Sequence, residues 1–212
     1  MPDLEPGDRA LFWDAIERSN RHARSHWSKY DPDEHVAALV KRLAKQGRDD
    51  LERFQAVLLE TLHALRTPEI AELCTILENP FQKHDDEYVF DQGLSTDGFI
   101  YFRYWLILKG RAFVDDMRAD ITRFVTGPYS FNIGNTWAEG LLYAADEAYG
   151  MRHENPDESA IADAVETLYP QLTHYDFTRV EWARAPLAGG ALHRAYPRLV
   201  EELAPLRATL ES

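Results

Sequence analysis

Cysteine occurs only once in this chain of 212 residues, at Cys74, so a disulfide within the chain is excluded. The N-terminal sequence MPDLEPGDRA also lacks the basic start and the apolar run of a secretory signal peptide. The most hydrophobic stretch, residues 99–108, supplies only half of the ~20 residues that a bilayer span requires, and it contains Arg103. We therefore expect a cytoplasmic protein with no membrane partner.

The sequence motifs of the common enzyme classes are absent as well. The chain contains no GxxxxGK[ST], GxGxxG, GxSxG, HExxH or CxxC, which removes the usual support for phosphate-loop, dinucleotide, serine-hydrolase and zinc-dependent proteins. His22 and His26 have the spacing of metal ligands on one helix face, but arginines flank them, so a solvated helix face is favoured. We expect no cofactor and no metal site, and we favour a protein that is not an enzyme.

Basic residues are scarce relative to acidic ones. The 23 Lys and Arg residues stand against 36 Asp and Glu residues, which gives a net charge of −13. Residues 1–66 carry a net charge of −1 and residues 67–212 carry −12, so the acidity lies beyond the first third of the chain. A nucleic acid is bound through clustered Lys and Arg, so we expect no nucleic-acid partner. A basic protein partner is more credible, although an acidic surface also serves solubility alone.

What the chain does contain is a regular series of helix start and stop signals. Asp8, Asp31, Thr67 and Ser95 are each placed to cap a helix, and Asp31 and Thr67 each precede a proline suited to the first turn. Apolar residues follow each cap at helical spacing, and no sustained alternation of period two occurs. The pattern predicts an all-α protein, a single-domain helical bundle of about seven to nine helices.

The same signals predict helix boundaries and domain limits. The predicted helices that bear on the later argument run from Asp8 to about Tyr30, from about Thr96 to Ala119, from Thr136 to Gly150, from Asn155 to about Pro170 and from Pro197 to Leu210. Breaks at Pro186 and Gly189 indicate a loop-rich C-terminal segment. We therefore expect a helical domain, residues 1–170, and a C-terminal extension, residues 171–212, that packs on the main body.

Residues 80–93, PFQKHDDEYVFDQG, interrupt the helical pattern with a long polar insertion. We expect a loop here, and such loops often carry function. Its centre provides the candidate partner-facing residues His84, Asp85, Asp86 and Glu87. The run offers oxygen ligands to a divalent cation, but it lacks the alternating ligands and glycine hinge of an EF-hand. A hydrated, partner-facing acidic loop is therefore favoured over a cation site.

The stretch LSTDGFIYFRYWLILKG, residues 94–110, holds one permanent charge, Arg103, in the middle of an apolar helix. A buried charge without compensation is costly, so Arg103 must meet a carboxylate or several carbonyl groups. The nearest candidate acids are Glu139, Asp146 and Glu147 in the predicted helix 136–150. Arg103 either forms a buried ion pair that docks the two helices, or it lines a cleft for an anionic ligand.

In the cleft interpretation, acidic and aromatic side chains surround the guanidinium. The candidate ligand-binding residues are Asp97, Tyr101, Arg103, Tyr104, Trp105, Glu139, Asp146 and Glu147. We assign no catalytic residue.

The chain contains the segments FWDAIE, STDGFIYFRYWLILKGR and EGLLYAADEAYG. These segments resemble the DUF4240 family, a bacterial domain family of unknown function. FWDAIE is similar to the family's FWxxI start, STDGFIYFRYWLILKGR to its SxDGFxxFRxWLIxxG core, and EGLLYAADEAYG to its ELLYxAxEAY helix. The resemblance covers about residues 11–153. The matching positions are Trp13, Asp97, Gly98, Phe99, Phe102, Arg103, Trp105, Leu106, Gly110, Glu139 and Tyr143. The family has no established activity, so the resemblance implies no catalytic role, and the long acidic insertion departs from the family pattern.

Two functional hypotheses follow. The first is a non-enzymatic, acidic protein-binding module of the bacterial cytosol, of the regulator or toxin-immunity type, that binds a basic protein. The second is a small-ligand-binding protein or enzyme with a cleft built on Asp97, Arg103 and the acids of residues 136–150, where a carboxylate of raised pKa acts as acid or base. The first is favoured because the acidity is concentrated after residue 66 and catalytic motifs are absent.

Overall fold

A computed structural model describes residues 4–20, 30–129, 133–153, 157–172 and 182–210. These residues are predominantly helical, in broad agreement with the predicted all-α class, and they also include one small two-stranded sheet. The α-helices are α1 (Pro6–Ser19), α2 (Pro32–Leu43), α3 (Arg48–Ala64), α4 (Pro68–Glu78), α5 (Thr96–Leu108), α6 (Arg111–Ala119), α7 (Arg123–Thr126), α8 (Ala144–Gly150), α9 (Ala160–Leu168), α10 (Gly190–Ala195) and α11 (Pro197–Leu210). The described residues thus hold eleven α-helices, more than the seven to nine predicted, because one predicted helix is split in two and several of the eleven are short.

Three predicted helix starts are confirmed by their capping hydrogen bonds. Asp31, Thr67 and Ser95 each accept a hydrogen bond from a backbone N–H two or three residues further on, at 2.9, 3.3 and 3.0 Å. The start of α1 differs, because the helix begins at Pro6 and Asp8 lies in its first turn. There the Asp8 carboxylate accepts a hydrogen bond from the backbone N–H that precedes the helix, at 2.9 Å.

The predicted helix from Thr96 to Ala119 is two helices. Gly110 has a φ of 97°, in the left-handed region that L-residues disfavour, and it separates α5 from α6. The Arg111 backbone N–H donates to Glu17 Oε1 of α1 at 3.1 Å, and a Cβ placed on Gly110 would lie 3.2 Å from the same oxygen. Both the backbone conformation and the close approach of α1 therefore favour glycine at the break.

The predicted acidic loop at residues 80–93 contains a β-hairpin, so the prediction of a loop is wrong there, while the all-α class still fits broadly. Strand β1 (Phe81–His84) pairs antiparallel with β2 (Glu87–Phe90), and Asp85 and Asp86 form the two-residue turn. Asp85 has a φ of 51°, the left-handed conformation that short hairpin turns require. The ring of Tyr88 packs on α10, which holds the hairpin against the body of the protein.

The predicted helix from Thr136 to Gly150 is an α-helix only in its second half, which is α8. Its first half is an irregular stretch followed by the 3₁₀ helix Glu139–Tyr143. The Ala138 backbone N–H donates to the Tyr101 carbonyl at 3.3 Å. This bond holds the irregular stretch against α5 and brings the 3₁₀ helix close to the first turns of α5.

One buried carboxylate, that of Glu72, joins α4 to the C-terminal segment. The Glu72 side chain is fully buried and accepts hydrogen bonds from the Leu187 backbone N–H at 2.7 Å and the Tyr196 hydroxyl at 2.6 Å. Arg184 forms an ion pair with the same carboxylate. Burial raises the pKa of Glu72, but the bonds from Arg184, Tyr196 and Leu187 outweigh it and hold the pKa below its ordinary value.

A buried histidine joins α1 to α2. His35 Nε2 donates to the Ile16 carbonyl at 2.8 Å, and its Nδ1 accepts from the Tyr30 hydroxyl at 2.9 Å. Both ring nitrogens are therefore satisfied in the neutral imidazole. Burial lowers the pKa of His35 to about 4, so the neutral form persists well below neutral pH.

Several sequence predictions fall on parts of the chain outside the described residues. These are the pair His22 and His26, the part of the first predicted helix beyond Asn20, and the predicted helix start at Asn155. In the ranges that are described, none of the helices has both the length and the apolar character needed to cross a bilayer.

Candidate binding surface

Arg103 is buried in the core and only 3% exposed. Its Nη1 donates to the Leu62 carbonyl at 2.9 Å, and its Nε donates to the Phe99 carbonyl at 3.2 Å. The guanidinium carbon also lies 4.4 Å from the centroid of the Phe99 ring. The predicted ion pair with an acid of residues 136–150 is therefore wrong, because Arg103 meets carbonyl groups and an aromatic ring of the described chain instead.

The position of Leu62 explains why a carbonyl can serve Arg103. Leu62 lies in the last turn of α3, where backbone acceptors have no partner within the helix and the helix dipole is negative. Arg207 of α11 provides donors to the C-terminal end of α4 in a similar way. Its Nη1 donates to the Ile76 and Asn79 carbonyls, each at 2.8 Å. Burial lowers the pKa of Arg103 to about 10, so the side chain stays charged at neutral pH.

The structure does not bring Tyr104, Trp105, Asp146 or Glu147 together with Arg103 in one cleft. Tyr104 and Trp105 are fully buried in the core, and Glu147 is exposed on α8. Asp146 accepts the Ile161 backbone N–H at 2.7 Å and so stabilises the start of α9. Burial raises the pKa of Asp146, although its hydrogen bonds to backbone N–H groups of α9 act in the opposite direction.

Asp97, Tyr101 and Glu139, by contrast, lie together at the surface. The Tyr101 hydroxyl donates to Glu139 Oε1 at 3.0 Å. This hydrogen bond, partial burial and the charges of Glu139 and Asp97 raise the pKa of Tyr101 to about 12, with a smaller contribution from Tyr143. The phenol therefore remains a protonated donor, and three of the predicted ligand-binding residues share one surface.

Trp137 extends this surface, although no pattern in the sequence distinguishes it as a surface residue. It is 48% exposed, its Nε1 donates to Glu78 Oε2 at 2.9 Å, and its ring centroid lies 5.7 Å from that of Tyr101. Tyr143 is 47% exposed. We call this surface the acidic aromatic patch, and its members are Glu78, Asp97, Tyr101, Trp137, Glu139 and Tyr143.

Two carboxylates of the patch are not neutralised by neighbouring cations. Across the described ranges, neither Asp97 nor Glu139 forms an ion pair. Other surface acids do, as when Glu60 pairs with Arg9 at 2.6 Å. The acidic aromatic patch therefore combines uncompensated negative charge with exposed aromatic surface.

A cleft of about 420 Å³ opens beside the patch, and its polar lining includes Glu78, Thr136, Trp137 and Arg207. The Thr136 hydroxyl donates to the Glu78 carboxylate, as Trp137 does. Burial raises the pKa of Glu78, although the Trp137 bond and the Arg207 charge lower it. The volume is within the range of small-molecule sites.

The predicted partner-facing residues occupy the tip of the hairpin. His84, Asp85 and Asp86 are exposed, whereas Glu87 forms an ion pair with Arg194 of α10. An open cleft of about 560 Å³ lies between the tip and α10. Among the side chains that the structure describes, no group of three or more His, Cys, Asp or Glu residues is arranged to hold a metal ion.

Fold and surface together define a predominantly helical protein with an acidic, aromatic surface patch. The DUF4240 family, described as a protein of unknown function, matches residues 8–151 of the 212-residue chain, and the chain belongs to this family. The resemblance drawn from three sequence motifs is thus confirmed. Comparison with curated proteins and with solved structures finds no match. The matched region contains every member of the acidic aromatic patch.

Proposed function

We propose that this protein is a non-enzymatic protein-binding module of the bacterial cytosol, of the regulator or toxin-immunity type, that recognises a basic protein surface. The observation that carries the proposal is the acidic aromatic patch, where the half-exposed Trp137 and Tyr143 stand beside the uncompensated carboxylates of Asp97 and Glu139. Aromatic side chains are enriched at interfaces, and opposite charge steers a partner to the right face.

The distribution of charge supports a basic partner over a neutral one. Residues 67–212 carry a net charge of −12, and the patch lies entirely within them. The exposed tip of the hairpin, with Asp85 and Asp86, belongs to the same acidic part of the chain, and we propose it as a second contact for the same partner. Steering by such a surface falls steeply as salt is added, which makes the proposal testable.

The alternative is a small-ligand-binding protein or an enzyme. The cleft beside Glu78 favours it, because a carboxylate of raised pKa, a tryptophan and the Arg207 guanidinium line one space of about 420 Å³. This cleft does not include Arg103, so the alternative no longer depends on that residue. Saturable, salt-insensitive binding of small metabolites that Glu78→Gln abolishes would favour this function.

We test the main proposal with a defined basic probe. A short fluorescent peptide of mixed Lys and Arg is titrated with the full chain by fluorescence anisotropy, at low and at near-physiological salt. The double variant Asp97→Asn/Glu139→Gln should weaken binding about tenfold, since each exposed charge pair contributes about 0.5–1 kcal/mol. The control double variant Asp33→Asn/Glu166→Gln removes the same charge from exposed sites outside the patch and should weaken binding less than about twofold.

Two outcomes would contradict the proposal. Equal weakening by the two double variants would mean that only net charge attracts the peptide. Binding that does not change between low and high salt would mean that the carboxylates of the patch play no part.

We also propose that the chain is one domain, in which residues 171–212 form an extension of residues 1–170. The bonds of Glu72 with Arg184 and Tyr196 support this arrangement, because they join α4 to the C-terminal segment. Unfolding followed by circular dichroism and by tryptophan fluorescence should then give one coincident transition. Two separate transitions would contradict it.

A further inference from the structure

We infer that the chemical group recognised by the acidic aromatic patch is a guanidinium, the arginine side chain of a basic polypeptide, stacked on the exposed face of Trp137. This inference rests on the proposed function and names the part of the partner that the patch binds. Two observations carry it: a rigid aromatic surface that is open to solvent, and carboxylate oxygens at its border that are open to a donor.

The Trp137 indole is held in place before any partner arrives. Its Nε1 donates to Glu78 Oε2 at 2.9 Å, and its ring lies against the first turn of α5, where a Cβ built on Gly98 would be 3.8 Å from Cζ2. Tyr101 packs beside the indole with the two ring planes inclined by 56°. Because Trp137 is nevertheless 48% exposed, it offers a fixed platform that loses little entropy on binding.

Carboxylate oxygens border this platform. Glu78 lies at the Nε1 edge of Trp137, and Glu139 is bonded to Tyr101 through Oε1. In the described part of the chain, Glu139 Oε2 and both carboxylate oxygens of Asp97 have no hydrogen bond or ion pair. Asp97 also stands in the first turn of α5, where it offsets the positive end of the helix dipole that would repel a cation.

A planar cation fits this arrangement better than a compact one. A guanidinium can stack on an indole and still donate in its own plane to carboxylates at the edge, whereas an ammonium is strongly hydrated and donates from a single centre. Tryptophan is the best aromatic partner for a cation, and such contacts at exposed sites are favourable. The geometry therefore predicts that the patch prefers arginine to lysine by about fivefold or more.

Three short fluorescent peptides test the preference, each alternating glycine with arginine, lysine or citrulline. Citrulline keeps the planar shape of arginine without its charge. The full chain should bind the arginine peptide about fivefold more tightly than the lysine peptide and should not bind the citrulline peptide measurably. Trp137→Leu should abolish the preference for arginine, while Leu206→Ala, which truncates an exposed apolar side chain outside the patch, should preserve it.

The results of this experiment distinguish the guanidinium assignment from the proposed protein-binding function. Equal affinity for the arginine and lysine peptides, lowered by Asp97→Asn/Glu139→Gln but not by Trp137→Leu, would overturn the guanidinium assignment and leave the protein-binding function intact. Failure of both cationic peptides to bind at low salt would overturn both. Trp137→Phe retains a ring without the bond to Glu78 and should retain a reduced preference for arginine, which keeps the test valid if Trp137→Leu does not fold.

Discussion

Lowering the pH from neutral should destabilise this protein through His35, and the direction follows from its environment. The imidazole is buried and neutral, with Nε2 donating to the Ile16 carbonyl and Nδ1 accepting from the Tyr30 hydroxyl. Burial disfavours the charged imidazole, and the charge of Lys109 acts in the same direction, so the pKa of His35 is lowered to about 4. The unfolded chain has an ordinary histidine and takes up a proton at a higher pH.

The magnitude follows from the two pKa values. With about 6.5 in the unfolded state and about 4 in the folded state, the stabilisation from His35 is complete above pH 6.5 and decreases as the pH falls. The loss in the free energy of unfolding is about 2 kcal/mol at pH 5 and about 3 kcal/mol at pH 4, and it levels off below the folded pKa. A loss of this size is a large part of the stability of an ordinary domain.

A matched variant isolates this contribution from the other acids that titrate in the same range. His35→Gln keeps a donor near the Ile16 carbonyl but cannot take up a proton. Urea unfolding of both proteins between pH 7.5 and pH 4 should show the wild type approaching His35→Gln by about 3 kcal/mol as the pH falls. A difference in unfolding free energy that stays constant with pH would refute the reasoning, as would an NMR titration that finds the imidazole charged in the folded protein at pH 5.5.

Two further predictions concern the buried charges. Arg103→Met should lower the free energy of unfolding by about 1–3 kcal/mol, because the Leu62 carbonyl loses its donor. The same variant should leave peptide binding unchanged. Unaltered stability together with lost binding would contradict the role of Arg103 at the end of α3. Glu72→Gln should cost about 2–3 kcal/mol in urea unfolding and expose the C-terminal segment to proteolysis, whereas Glu69→Gln, on the exposed side of the same Arg184, should cost under about 0.5 kcal/mol. Equal effects of the two glutamate variants would argue against the buried carboxylate as the attachment point.

Helix starts could be predicted because their physics is local. The side chains of Asp31, Thr67 and Ser95 bond to backbone groups within three residues, so the residues that decide the structure stand next to one another in the sequence. The break at Gly110 could not be predicted in this way. The backbone N–H of the next residue, Arg111, bonds to Glu17 of α1, a contact between residues far apart in the chain.

The hairpin could not be predicted for a related reason. Its turn is Asp-Asp, not the Asn-Gly or Asp-Gly that usually identifies a two-residue hairpin, and each strand has only four residues. The aromatic residues that pack β2 on the body, Tyr88 and Phe90, do alternate, but over too short a range for the period to stand out. The run of acids between the two strands is typical of a solvated loop.

The candidate surface could likewise be predicted only in part from the sequence. Asp97 and Tyr101 share one helix and could be placed together from spacing, and Glu139 was expected near them because it was sought as a partner for Arg103. The role of Trp137 could not be predicted, because its exposure depends on the irregular stretch that the Ala138 bond holds against α5. Exposure of a large aromatic residue is a property of tertiary packing, and the periodicity of the sequence does not predict it.

The partners of Arg103 in its apolar helix thus differ from the acids of residues 136–150 that were predicted for it. An α-helix ends with carbonyl groups that need donors, and where the end is buried neither water nor a flexible side chain at the surface can supply them. An arginine from another helix supplies several donors at once and meets the negative end of the dipole, as Arg103 does for α3 and Arg207 does for α4. The acids of residues 136–150 are therefore not required to neutralise the core. Glu139 lies instead at the surface with Asp97, where its charge is available to a partner.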